Sequence, residues 1–108
     1  MHERIQTVSA SRAMIRSGGR VMIDVAFETL VPATVTVRAV TPGYACEVQP
    51  IQTRAGAQHR QLPIRVRRRN DASGHVCLLE VAVGQLHASL SLTVLPRHPT
   101  HGSLRAIP

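Results

Sequence analysis

Residues 76–96 read with a period of two, twice over. Cys77, Leu79, Val81 and Val83 alternate with Val76, Leu78, Glu80 and Ala82, and after Gly84-Gln85 the beat resumes at Ala88, Leu90, Leu92 and Val94 against Ser89, Ser91 and Thr93. A strand sends successive side chains to opposite faces, so each half carries one apolar row, and the two-residue break predicts an antiparallel hairpin. A lone hairpin cannot hide two such rows from water. The rest of the chain must therefore supply a second layer.

The preceding sequence carries the same alternation in shorter pieces. Residues 4–15 form a broken first strand, with Ile5, Val8, Met14 and Ile15 as its apolar members and Ser9, Ala10 and Ser11 as a weak centre. After the Ser17-Gly18-Gly19 turn, residues 20–28 place Val21, Ile23, Val25 and Phe27 on one face and Met22, Asp24, Ala26 and Glu28 on the other. Residues 33–40 turn Val35, Val37 and Ala39 inward and Thr34, Thr36 and Arg38 outward, and residues 44–48 add a short extended piece before Pro50. Residues 54–58 read as loop, and residues 60–67 resume with Leu62, Ile64 and Val66 inward. Pro63 lacks a backbone donor, which predicts an edge strand or a bulge there. The polar run 68–74 is a turn.

Seven short strands separated by turn signals predict an all-β fold, a single antiparallel sandwich over residues 1–97, with residues 98–108 as an extended C-terminal arm. Phe27 and Tyr44 are the only aromatics among 108 residues, so the core is built from Val, Ile and Leu. The segments SGGRVMIDVAFE, PATVTVRAV, RAGAQHRQLPIRV and SLSLTVLP, in that order, resemble short immunoglobulin-like modules of bacterial and phage proteins, relatives of fibronectin-type-III-like sandwiches. The resemblance implies a scaffold for binding or structure. The chain departs from antibody domains: it has no core Trp, no tyrosine corner before Cys77, and no second-strand Cys to pair with Cys77. Because this architecture hosts many roles, function must be read from particular residues.

The formal charge is +7 and all thirteen basic residues are Arg, a balance that speaks to association with anionic or acidic partners rather than to fold. The run Arg65, Arg67, Arg68 and Arg69 admits three readings. It is a phosphate-binding strip for nucleic acid, or a patch that binds a protein partner, or, favoured here, a solvated surface on which Arg65 and Arg67 lie across from Asp24 and Glu28 as ion pairs, as Arg38 does from Glu80. Nucleic acid is the weaker of the partner readings, since rings for base stacking are nearly absent and no helix-turn-helix or zinc-finger signature occurs.

Chemistry finds little else to stand on. Cys46 and Cys77 are expected in, or beside, the same sheet, and the lack of an export signal favours free buried thiols over a bridge. The histidines at 2, 59, 75, 87, 98 and 101 include the close pair His98 and His101, but no set of three or four converging ligands, so no metal is expected. There is no Gly-x-Ser-x-Gly elbow, no Gly-rich phosphate loop and no His-Glu-x-x-His. Asp24 and Glu28 would sit about 13 Å apart on a strand, too far to act as a pair. The expectation is a protein that is not an enzyme, with no cofactor and no small-molecule substrate.

What remains is surface. Met22, Ala26, Val40, Val76, Leu78 and Leu95 are apolar on outward parity, and Val40, Val76 and Leu78 are expected to cluster beside Arg38 and Glu80. Arg38, Val40, Val76 and Leu78, together with Arg65, Arg67, Arg68 and Arg69 of the basic run and Arg97, Leu104, Arg105 and Ile107 of the arm, make the expected interface for a protein partner or a second copy. The expected role is a module docked on a larger protein assembly, such as a phage virion accessory or decoration protein. The alternatives are an adhesion or carbohydrate-binding module of a bacterial surface protein, or a basic nucleic-acid-binding protein. No signal peptide or bilayer-spanning segment is visible, so the expectation is synthesis in the cytoplasm, incorporation into a particle, and no membrane insertion. An extracellular place would require excision from a longer exported chain.

Overall fold

The computed structural model describes residues 2–97, which form two packed β-sheets and no helix. The strands are β1 (Arg4–Ala10), β2 (Met14–Arg16), β3 (Gly19–Thr29), β4 (Ala33–Ala39), β5 (Tyr44–Val48), β6 (Ile51–Thr53), β7 (Gly56–Arg68), β8 (Val76–Val83) and β9 (Leu86–Leu95). One sheet has the order β1-β3-β7-β5 and the other β2-β9-β8-β4-β6. The long hairpin forms as its alternation predicts: β8 and β9 pair antiparallel from Val76↔Thr93 to Val83↔Leu86, around Gly84 at positive φ.

Between the sheets lies the aliphatic core. Ile23, Val25, Phe27, Leu62, Ile64 and Val66 close it from the four-stranded side, and Val35, Leu79, Val81, Val83, Leu92 and Val94 from the five-stranded side. Each such side chain, fully removed from water, contributes about 1.5–3 kcal/mol relative to exposure. All of these positions have the inward parity read from the sequence.

The edges differ from expectation, and so does the strand count. The first strand is two strands in different sheets: β1 runs antiparallel to β3, and β2 runs parallel to β9. The crossing between them is held at both ends, by Ser11 N–H on Met22 O (2.8 Å) and by Thr93 N–H on Ala13 O (3.0 Å). Five polar or small residues, 9–13, separate Val8 from Met14-Ile15, too long a gap in one apolar row to hold a single strand to one core. The same device closes the other side. β5 stops at Val48, the chain crosses at Gln49-Pro50, and β6 joins β4 in the opposite sheet. Short edge strands that change sheets leave little continuous unpaired backbone for edge-to-edge association.

Three further corrections concern register. The predicted loop 54–58 is shorter, since β7 begins at Gly56 opposite Thr29. β7 is not an edge strand despite Pro63; it lies between β3 and β5, and its ladder with β3 runs through Met22↔Pro63 without a shift. The β5 ladder ends one residue earlier, at Val48↔Ile64, so a donor at position 63 directed away from β3 would find no strand to bond. Finally, Cys46 and Cys77 lie on opposite sheets.

Candidate functional site

The outer face of the five-stranded sheet carries its apolar residues in adjacent rows. Thr93 of β9 sits between Met14 of β2 and Val76 of β8. In the next row Leu78 lies between Ser91 and Val40, whose N–H donates to Leu78 O at 2.8 Å. Met14, Val40, Val76 and Leu78 are 54%, 39%, 57% and 37% exposed. Below them the face turns polar: Arg38 lies opposite Glu80 and donates Nε–H to its carboxylate at 2.8 Å, and His87 Nδ1 stands 3.6 Å from the same oxygen. The Arg38 guanidinium holds the Glu80 carboxyl below its usual range. The structure thus brings together Arg38, Val40, Val76 and Leu78, and it adds Met14. The signal for Met14 was present, because neighbouring Met14 and Ile15 cannot both face inward from a strand; Ile15 is the buried one.

The arginine run is divided among different tasks. Arg65 and Arg67 do not face Asp24 and Glu28. The register places Asp24 opposite Gln61, which donates to it at 2.8 Å, with His59 Nε2 at 3.2 Å, and places Glu28 opposite Ala57. Arg67 donates Nε–H to Glu47 at 2.8 Å, and this bond, with Arg65 nearby, lowers the Glu47 carboxyl below its usual range. Arg65 lies between Arg20 on β3 and Glu47 on β5. Arg68 turns away from solvent partners: its guanidinium donates to Ala72 O at 2.9 Å and Gly74 O at 3.1 Å.

Those bonds organise the turn after β7. Tyr44 donates its hydroxyl to Gly74 O at 3.0 Å, and Arg69 N–H donates to Gly43 O at 2.8 Å. Gly43 is held at φ +88, and a Cβ there would stand 2.7 Å from the Ala72 Cβ, so no other residue fits without moving the turn. The braced turn forms one side of a cleft of about 480 Å³, completed by Ser17, Gly18, Arg65, Arg67, Pro96 and Arg97. Ser17, Asn70 and Arg97 come from three separate connections, and no periodicity announces that they meet.

The thiols are both free, Cys77 buried and Cys46 half-buried. Burial pushes each up to about 11, with Cys77 and Glu47 adding to the effect at Cys46. Such a shift favours the protonated thiol at neutral pH, the less nucleophilic form. Among the described residues no three His, Cys, Asp or Glu side chains are grouped to hold a metal ion, and no helix is long and apolar enough to cross a membrane. His98, His101, Leu104, Arg105 and Ile107 lie outside the described residues, as does the whole predicted arm.

No family model matches the sequence, and no curated protein matches it. A solved structure of the S-layer protein SbsC, domains 4 and 5, is similar in fold, with a TM-score of 0.51 and 10% identity over 87% of this chain. That match occupies 47% of the S-layer fragment, so the chain spans about half of its length. The likeness supports the two-sheet fold just described and extends no further than the fold.

Proposed function

We propose that this chain is a non-enzymatic structural module, an immunoglobulin-like sandwich that packs into a larger protein assembly through the outer face of its five-stranded sheet. The observation that carries this reading is the exposure of Met14, Val40, Val76 and Leu78 in adjacent rows of one sheet face, with Val40, Val76 and Leu78 side by side and Met14 one strand beyond Thr93. A water-facing sheet surface gains nothing from such rows, whereas a protein interface with an apolar centre and a charged rim gains from them. Arg38 and Glu80 supply that rim on one side. The partner is a protein, either another component of the assembly or a second copy.

Both Phe27 and Tyr44 are buried, at 0% and 8% exposure, which leaves no exposed Phe, Tyr or Trp ring to stack on a sugar or a nucleobase. This weighs against the carbohydrate-binding and single-strand nucleic-acid readings. By fold analogy alone, a layered bacterial surface assembly is a better setting than a phage particle, because the similar solved domains belong to an S-layer protein.

The test is a photo-crosslinking amino acid placed at Val76, and separately at His59 on the outer face of the four-stranded sheet, in the protein's native source. The expected result is a discrete adduct from position 76 and none from position 59. Equal labelling from both positions, or labelling from position 59 alone, overturns the assignment of the face.

A further inference from the structure

We propose that the cleft between the Ser17-Gly18 turn, the end of β7 and the chain leaving β9 is a binding site for a phosphate-class oxoanion of two or more charges, held by Arg65, Arg67 and Arg97. The cleft, about 480 Å³, has four guanidinium groups in its lining and no carboxylate. Such a volume suits a small ligand or the charged end of a larger one.

The four arginines are not equivalent. Arg68 is spent on the carbonyls of Ala72 and Gly74, and with Tyr44 it makes the turn a rigid wall. Arg67 commits its Nε to Glu47 and keeps its terminal nitrogens. Arg65 and Arg97 make no side-chain hydrogen bond or ion pair with any described residue. Asn70 adds a neutral amide at the edge. A guanidinium presents paired donors whose spacing matches two oxygens of a tetrahedral oxoanion, and donors held on a braced frame lose little freedom on binding.

Two further observations point to an anion here. Arg65 lies directly opposite Arg20, a like-charged cross-strand pair that the fold tolerates although it disfavours pairing. The surplus charge is also concentrated at this end. Arg65, Arg67, Arg68 and Arg97 line the cleft, Arg20 lies opposite Arg65, and Arg16 and Arg69 adjoin its lining residues along the chain; with Glu47 and Asp71 the nearest acids in register or sequence among the described residues, that is seven positive groups less two negative, five of the chain's seven excess charges. An oxoanion in the cleft relieves this repulsion. The absence of any ring in the lining makes a small or terminal oxoanion a better fit than a stacked nucleic-acid strand.

The experiment is a titration of the isotope-labelled protein with inorganic pyrophosphate, followed by amide shifts near physiological ionic strength, and repeated with R65Q/R97Q and with R38Q. Pyrophosphate is expected to saturate, with shifts confined to residues 17–18, 65–70 and 97. Affinity is expected to fall roughly tenfold for each cleft arginine removed and to be unchanged in R38Q, whose arginine is paired with Glu80 and does not line the cleft. Amide spectra of the variants establish that both are folded; if R65Q/R97Q is not, R97Q alone at the exposed chain exit carries the comparison. Shifts scattered over every arginine-bearing surface, or affinity unaltered by removing the cleft arginines, overturn the proposal. So does a DNA duplex that binds these arginines and is not displaced by pyrophosphate.

Discussion

The two outer faces of this sandwich are built from the same alternation and have opposite character. On the four-stranded sheet the rows read Thr7, Ala26, His59 and then Ser9, Asp24, Gln61, so polar and small residues face water and bond across the strands. On the five-stranded sheet the corresponding rows are Met14, Thr93, Val76 and then Ser91, Leu78, Val40. Both faces are outward, and both belong to sheets whose inner rows are nearly pure aliphatic. Burial of the core therefore cannot explain the difference. The apolar residues outside need a separate cause, and the association proposed above would supply one.

The largest effect that sharpens this comparison lies within one strand. Leu79 and Leu78 are neighbours on β8, one fully buried and one exposed. Leu79→Ala is expected to cost about 2–5 kcal/mol in urea unfolding, and Leu78→Ala about 0.5 kcal/mol or less. Comparable losses at both positions would mean that the outer face is covered within the isolated chain, and the contrast between the faces would fail.

A smaller effect separates the two faces directly. The fluorescence of an apolar dye such as anilinonaphthalene sulfonate should rise modestly with the folded protein. Val76→Glu combined with Leu78→Glu should remove that rise, while Thr7→Glu combined with Gln61→Glu should not. Because the dye is an anion and the arginine cleft adjoins the apolar face, the measurement belongs at high salt, where charge attraction is screened. Equal loss from either pair of substitutions breaks the comparison.

The smallest effect uses one ion pair from each face. Glu47 with Arg67 lies on the four-stranded sheet, Glu80 with Arg38 on the five-stranded sheet, and the arginine hydrogen bond depresses both carboxyls. A depressed carboxyl stabilises the fold above its unfolded-state value, near 4.5, and that contribution is lost as pH falls through the lower folded-state value. The Glu47 side chain is exposed and that of Glu80 partly covered, and both arginine partners are exposed, so the contribution is slight. Thermal midpoints are expected to be level above about pH 6 and to decline below about pH 4.5. Glu47→Gln and Glu80→Gln should each remove a similar small part of that decline. A much larger change from one of them would show that its face is less solvated than the other.

The core was legible in the sequence because a strand has a period of two and water penalises an apolar row wherever it falls. Val21, Ile23, Val25 and Phe27 could only be inward as a set, and so could Cys77, Leu79, Val81 and Val83. Arg38 and Glu80 were also legible as partners, since they sit near the middle of two strands with clear parity. The candidate interface was half legible. Val40, Val76 and Leu78 declared themselves by parity, whereas Met14 was hidden in a segment that changes sheets.

Register and the meeting of distant turns were decided only by the tertiary structure. Alternation says which face a residue occupies but not which residue lies across from it, because sliding a strand by two preserves every inward position. Hence Arg65 lies opposite Arg20 rather than Asp24. Pro63 likewise depended on where a neighbouring ladder stops, which its own strand does not encode. The cleft among Ser17, Asn70 and Arg97 depends on three connections converging at one end of the sandwich. Local chemistry along the chain determined two aliphatic layers; the charges and turns that convergence placed side by side are what distinguish this sandwich from any other.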